Sequence, residues 1–157
     1  LRQGDEVVVD GVATMFVRQP KKKGAGKGQG KQGPESVPTW EELTTFELAP
    51  DQPKRYALAS QDYNPIHTKK WVAKLAGFPR PVAHGLCVMA MTTARLINEF
   101  GNKDPARLSS IKVRFSKPAF PSQDLTLKVA GEGNTRQFML ENPKGKPVLS
   151  NGVVVFR

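Results

Sequence analysis

The sequence predicts an α+β domain in which an antiparallel sheet wraps around one long central helix. Residues 83–100 are apolar nearly all round the first three helical turns, which predicts a helix that is buried on most sides. Downstream, apolar and polar residues alternate in at least four segments, which predicts strands. Because a single buried helix comes before these strands, we expect the sheet to curl around it.

The first segment of the chain, Asp5–Arg18, is rich in β-branched and aromatic residues and lacks proline, which predicts a strand bent at Gly11. It leads into KKKGAGKGQGK, whose alternating Lys and Gly residues form neither a packed helix nor a packed strand. We therefore expect residues 19–39 to be a linker, residues 1–18 to belong to a preceding unit, and residues 40–157 to form the main domain.

The elements between this linker and the central helix are short. A strand is predicted at Leu43–Leu48, followed by a helix at Pro53–Ser60 with a proline in its first turn. A second short helix is predicted to be capped by Thr68. Trp71, Leu75 and, on its flank, Val72 fall at helical spacing in it and are expected to form its apolar face.

The strands come after Gly101, which ends the central helix. They are predicted at residues 111–115, 125–129, 135–141 and 147–156. Asn142–Gly145, with the sequence NPKG, predicts a tight turn between the last two strands.

Composition excludes several classes of protein. The chain has 157 residues, of which 38% are hydrophobic, so it is long and apolar enough to build a core. The longest stretch without a charged residue, Pro81–Thr93, is too short to cross a bilayer. Cys87 is the single cysteine, which excludes an internal disulfide and fits a reducing compartment.

The chain is basic, with 24 Lys and Arg residues against 14 Asp and Glu residues and a net charge of +10. Five of these lysines lie in the Lys/Gly run Lys21–Lys31, so the rest of the chain carries 10 − 5 = +5. This modest excess suits a small ligand that bears phosphate as well as it suits a polynucleotide.

One loop carries residues suited to proton transfer. In QDYNPIH, Asp62 and His67 stand five residues apart between two short helices, so their side chains can converge on one point. Asn64 between them offers a donor and an acceptor for a water molecule. Taken alone, the loop favours a structural interpretation, in which Asp62 caps a turn, Pro65 fixes it and His67 packs as a neutral residue.

Two further segments accompany this loop. YALASQDYNPIH is followed by LAGFPRPVAHGLCVMAM and then by IKVRFSKPAFP. Together they closely resemble the MaoC-like, type 2 (R-specific) enoyl-CoA hydratases, in particular the hydratase units of peroxisomal multifunctional enzyme type 2. The resemblance covers about residues 40–156. The sequence departs from the family pattern at Gln61, where the family has Gly.

This resemblance implies a hot-dog fold and the reversible, stereospecific hydration of trans-2-enoyl-CoA to (R)-3-hydroxyacyl-CoA. It implies that Asp62 and His67 hold and activate the water, and that Asn64 helps to position it. The backbone N–H of Gly85, at the start of the central helix, is expected to stabilise the charge on the thioester oxygen. The resemblance implies no metal and no cofactor, because coenzyme A is part of the substrate.

Basic residues are expected to bind the phosphates of coenzyme A. The candidates are Lys112, Arg114 and Lys117, although charges on a half-exposed strand also serve solubility. His84 is expected only to begin the central helix.

A single hot-dog unit exposes one face of its sheet, so we expect a homodimer or pairing with a second hot-dog unit. In larger family members two units are fused and the first lacks the catalytic loop, and residues 1–18 resemble the last strand of such a unit. The expected compartment is the cytoplasm, or the peroxisome in a eukaryote.

Two other functions stay open. In the first, the same fold dehydrates a 3-hydroxyacyl group on acyl carrier protein in fatty-acid synthesis. In the second, which ranks last, the hot-dog domain is a non-catalytic scaffold and the Lys/Gly run binds nucleic acid. Because this second function ranks last, we do not expect nucleic acid as the partner. We do not expect a membrane as the partner either.

Overall fold

The computed structural model describes residues 2–3, 6–7, 11–12 and 38–157. The chain divides into two compact units, residues 1–35 and residues 36–157, and each is described by itself.

The described part of the first unit is a small antiparallel pair of strands. β1 (Arg2–Gln3) pairs with β2 (Glu6–Val7). Gly11 and Val12 belong to no helix or strand, so the strand predicted over Asp5–Arg18 does not continue through Gly11. The remainder of that predicted strand, the Lys/Gly run and the predicted linker up to residue 37 lie outside the described residues.

Residues 38–157 contain five strands and three α-helices. In chain order they are β3 (Glu41–Leu48), α1 (Gln52–Ser60), α2 (Lys70–Leu75), α3 (Gly85–Phe100), β4 (Leu108–Phe115), β5 (Gln123–Ala130), β6 (Thr135–Glu141) and β7 (Pro147–Phe156). Two single turns of 3₁₀ helix, Pro65–His67 and Pro105–Arg107, precede α2 and β4.

The five strands form one antiparallel sheet in the order β3-β5-β6-β7-β4. β3 and β4 are therefore its edges, although they come first among the five strands in sequence. The helices α1 to α3 all lie in the connection between these two edge strands. This arrangement confirms the predicted α+β fold class, with one long helix and an antiparallel sheet.

The core lies between one face of the sheet and α3. Fully buried side chains come from the central strands and from the helix: Leu96, Val88, Leu125, Leu127, Phe138, Leu140, Leu149 and Val154. The strand predictions succeed because alternate residues of β5, β6 and β7 face this core. The predicted bounds of β6 and β7 agree with the structure.

The prediction that the central helix is buried on most sides is wrong for this chain. α3 buries one side, which carries Val88, Thr92 and Leu96. Leu86 on another side exposes 63% of its surface, and Ala90 is also exposed. The sheet covers only one side of the helix, so the apolar residues elsewhere on it remain in contact with solvent.

The predicted apolar face of α2 is also wrong. Trp71 and Leu75 are 67% and 80% exposed, and the residue that α2 buries is Ala73. Lys69, not Thr68, is the cap residue, and its side chain makes no capping hydrogen bond. A helix of six residues is too short for spacing alone to identify its inner side, and the side chain that α2 buries is the small one of Ala73.

Candidate active site

The loop between α1 and α2 starts with a sharp change of backbone direction. Gln61 ends α1 in the left-handed conformation, with φ of 59°. This conformation favours Gly, which has no Cβ to clash with the backbone. It explains why Gly suits this position in the loop pattern, and it shows that Gln61 preserves the turn.

Hydrogen bonds within the loop fix the next residues. The Asn64 N–H donates to Asp62 Oδ1 (3.2 Å), and the Ile66 N–H donates to Asn64 Oδ1 (3.3 Å). Neither Asp62 Oδ2 nor the side-chain NH₂ of Asn64 takes part in these two hydrogen bonds. Asn64 therefore differs from the expectation, because its side-chain oxygen caps the 3₁₀ turn and only its amide donor remains for a water.

His67 is held by a backbone carbonyl, which also decides its tautomer. Its Nδ1 lies 2.8 Å from the Val82 carbonyl oxygen. Since a carbonyl only accepts, Nδ1 carries the hydrogen and donates it, and the neutral ring has its lone pair on Nε2. Burial lowers the pKa of His67 below the ordinary value of a histidine, which favours this neutral form. Nε2 is thus suited to accept a proton.

His84 is a member of this cluster that the sequence analysis missed. Its side chain is only 2% exposed, and its Nε2–H donates to the backbone oxygen of Asp62 (3.0 Å). The same nitrogen lies 3.9 Å from Asp62 Oδ2, and the ring stacks on that of His67. The prediction that His84 only begins α3 is therefore too limited. The available signal was the His-Gly pair at the head of the helix, which offers a second imidazole close to the loop.

The three side chains are close enough to raise the question of a metal. One nitrogen or oxygen atom from each of Asp62, His67 and His84 lies within 4.8 Å of the others. Zinc binds about 2.0–2.1 Å from an imidazole nitrogen, in the plane of the ring. The rings of His67 and His84 are stacked, with centroids 3.7 Å apart and planes tilted by only 26°. A metal ion bonded to one ring in its plane would therefore lie outside the plane of the other ring. This geometry favours proton transfer over metal binding.

Gly85 is the first residue of α3, so its N–H has no partner within the helix. A Cβ at this position would meet the Phe115 ring at 3.1 Å, so Gly allows the helix to approach β4 closely. Gly85 lines a cavity of about 260 Å³, which we call the glycine cavity. Its other lining residues are Phe78, Ala83, Val88, Phe115, Ser116, Lys117, Pro118, Ala119, Val148 and Leu149.

His67 lines a different cavity, of about 210 Å³, which we call the histidine cavity. Its other lining residues are Pro50, Pro53, Lys54, Thr68, Arg80, Pro81 and Pro121. Residues from the segments 80–88 and 115–121 line both cavities. A hydrogen bond from the Ala83 N–H to the Ala119 oxygen (2.9 Å) joins these two segments. The structure thus brings Asp62 and His67 together, but it places Gly85 on a separate cavity next to them.

The three predicted phosphate-binding residues do not lie together. Lys117 is exposed and lines the glycine cavity. Lys112 and Arg114 are exposed on the face of β4 opposite Phe115, and they line neither cavity. Only Lys117 among them is placed next to the candidate site.

Residues 31–151 match the protein family described as MaoC like domain, and the chain belongs to this family. It is 34% identical over 143 residues to peroxisomal multifunctional enzyme type 2 of Drosophila melanogaster, covering 83% of this chain and 23% of that protein. It is 30% identical over 153 residues to a probable enoyl-CoA hydratase 2 of Dictyostelium discoideum, covering 92% of this chain and 50% of that protein. The chain spans half or less of the length of these relatives.

The fold agrees with that of a solved relative. The structure of the full-length Drosophila enzyme aligns with a TM-score of 0.70 at 31% identity, over 80% of this chain and 23% of that chain. This match confirms the hot-dog fold. Among the described residues no helix is both long and apolar enough to cross a membrane.

Proposed function

We propose that this chain catalyses the reversible hydration of trans-2-enoyl-CoA to (R)-3-hydroxyacyl-CoA. The observation that carries the proposal is the convergence of the Asp62 carboxylate with His67, whose Nε2 is available as a base. The names of the relatives, which include an enoyl-CoA hydratase 2, support the same reaction. The compartment is a proposal too: the cytoplasm, or the peroxisome in a eukaryote.

The chemistry follows from these two side chains. Asp62 Oδ2 holds a water molecule, and His67 Nε2 accepts one of its protons as the oxygen adds to C3. The C2–C3 double bond becomes a single bond, and the electron pair moves onto the thioester oxygen as an enolate. Returning the proton to C2 completes the addition of one water and leaves the site unchanged.

The enolate needs a hydrogen-bond donor, and we assign this role to the Gly85 N–H. The positive end of the α3 dipole adds to it. Gly85 and His67 line neighbouring cavities. A substrate that contacts both residues therefore extends from one cavity into the other.

The test compares hydration of crotonyl-CoA by the wild type, Asp62→Asn and His67→Gln. Each change removes a group that moves or holds the water, so we expect kcat to fall by about a hundredfold or more. Asp124→Asn, an exposed carboxylate on β5, is the matched control and keeps full turnover. The product is expected to be the (R) isomer. Undiminished turnover in both site variants would overturn the roles of these residues.

Two further measurements separate the alternatives. Faster turnover of a carrier-protein thioester than of the matched CoA thioester would favour the dehydratase of fatty-acid synthesis. No turnover of either, with folded protein, would favour a non-catalytic role.

We also propose that a second hot-dog unit or a second copy covers the exposed apolar residues of this chain. Leu86, Trp71 and Leu75 are large, apolar and exposed, which is costly for a lone domain. Sedimentation of the chain alone tests this proposal. A dimer that Leu86→Glu weakens supports it, and a monomer at all concentrations contradicts it for two copies.

A further inference from the structure

We propose that Tyr56 is a positioning residue of the proton-transfer pair and that it acts through His84. This inference rests on the proposed function, and it adds a residue of α1 to the side chains that the function uses. It follows from the contacts that α1 makes with the head of α3 and from the few bonds that hold the His84 ring.

Two contacts join α1 to the head of α3. The Gln52 side-chain NH₂ donates a hydrogen bond to Cys87 Sγ (3.4 Å). One helical turn later, the ring of Tyr56 lies against that of His84, with centroids 5.0 Å apart and planes tilted by 50°. Both Gln52 and Tyr56 are half-buried. Because Asp62 comes two residues after the end of α1, these contacts determine where its loop begins.

His84 depends on packing for its orientation. Its Nε2–H donates to the Asp62 backbone oxygen, whereas Nδ1 is buried and has no hydrogen-bond partner among the described residues. A single hydrogen bond at one corner does not fix the tilt of the imidazole. The neighbouring rings restrict this tilt, His67 by stacking and Tyr56 by its contact from α1. Removing the Tyr56 ring therefore loosens the ring on which His67 stacks.

The hydroxyl of Tyr56 has no direct contact with the reacting groups. Within the described part of the chain, no hydrogen bond joins it to Asp62 or to His67. Burial raises the pKa of Tyr56, with further contributions from Cys87 and Asp62, so the hydroxyl stays protonated and adds no negative charge near the loop. The role of Tyr56 therefore belongs to its ring and to the contact with His84.

The kinetic test compares Tyr56→Leu, which removes the ring, with Tyr56→Phe, which keeps it. In Tyr56→Leu we expect kcat for crotonyl-CoA to fall about fivefold with KM nearly unchanged, because the base loses the support of one aromatic contact. Tyr56→Phe should keep most of the wild-type kcat. Equal losses in the two variants would move the role from the ring to the hydroxyl and would overturn the proposal.

The pKa of His67 gives a second measurement, which needs no turnover. Burial lowers this pKa and His84 lowers it further, while the Val82 carbonyl and Asp62 oppose the shift. Loosening His84 exposes the His67 ring, so its pKa should rise toward the ordinary value in Tyr56→Leu. NMR titration of the His67 ring measures this change. An unshifted titration in Tyr56→Leu would contradict the proposal.

Two further variants separate positioning from general packing. Gln52→Leu removes the other contact between α1 and α3, so it should lower stability in urea and leave the titration of His67 as in the wild type. A rise equal to that in Tyr56→Leu would show that any loosening of α1 has this effect. The double variant Tyr56→Leu/His84→Gln should have the kcat of His84→Gln alone, because the first residue acts through the second. Additive losses would show that Tyr56 acts by another route.

Failure of the proposed function is distinguishable from failure of this inference. A wild type that hydrates no enoyl thioester refutes the function. The titration of His67 in Tyr56→Leu and Gln52→Leu still decides whether the Tyr56 ring holds His84 against His67.

Discussion

The imidazole rings of His67 and His84 are stacked, with centroids 3.7 Å apart and planes tilted by 26°. His84 also donates a hydrogen bond to the backbone oxygen of Asp62. One buried side chain therefore contacts both residues of the proposed proton-transfer pair. It does so from the turn that begins α3, whereas the pair itself belongs to the loop after α1.

Two variants of His84 separate its contacts. His84→Phe keeps a ring against His67 but removes the donor to Asp62, and His84→Gln keeps a donor but removes the ring. We expect each to lower kcat about tenfold, because the Asp62 carbonyl loses its donor or the base loses its support. KM should change less. Tyr63→Phe, at an exposed position in the same loop, is the control. Wild-type kcat in both His84 variants would show that the stack has no role in positioning.

The pH dependence of kcat/KM reports on His67. Its pKa is lowered, chiefly by burial and also by His84, while the Val82 carbonyl and Asp62 oppose this shift. A base must be unprotonated, so activity falls as the pH drops through the pKa of His67. We expect this acid limb to lie below the ordinary range of histidine and to move to higher pH in His84→Gln. NMR titration of the His67 ring gives an independent measurement, and an unshifted wild-type limb would contradict the prediction.

Gln61→Gly should stabilise the domain. A side chain in the left-handed region costs about 1 kcal/mol, which Gly avoids. Ala59→Gly, two residues earlier on the exposed side of α1, should instead destabilise by about 1 kcal/mol, because its backbone is helical. Urea unfolding measures both changes. Equal destabilisation by both variants would show that the conformation of Gln61 carries no strain.

Gly152→Ala should be among the most destabilising small changes in the sheet. Gly152 on β7 faces Phe138 on β6, and a Cβ there would overlap the Phe138 carbonyl oxygen and ring. We expect a loss of about 3 kcal/mol of unfolding free energy, since backbone cannot move aside. Gly145→Ala, in the turn with open space around it, should cost about 1 kcal/mol through its φ of 64°. Similar losses in the two variants would contradict this steric explanation.

The sequence predicts the sheet well because burial on one face imposes a period of two. Alternation predicts the first and last residues of β6 and β7 correctly. The NPKG sequence correctly predicts the turn between them, in which Asn142 Oδ1 accepts hydrogen bonds from two backbone N–H groups. Short helices carry less information. Trp71 and Leu75 suggested a buried face, yet Ala73 faces inward.

Single polar residues are harder to place than patterns. His84 has no periodic signal, so its contact with Asp62 emerges only when the head of α3 meets the loop. The three basic residues near β4 are a second example. Lys117 follows the end of β4 and lines the glycine cavity with Phe115 and Ser116, whereas Lys112 and Arg114 lie within the strand and line neither cavity. Sequence alone does not reveal that the cavity lies on that side.

None of Asp62, His67 and His84 belongs to a strand, and the hydrogen bonds of their side chains run to the loop after α1 and to Val82, not to the sheet. The ladder of the sheet would persist if this loop were shortened or replaced. A duplicated gene is therefore free to lose its chemistry in one copy while that copy still folds. Such a copy is then available for selection to reshape around a new ligand, while its twin retains the proposed reaction.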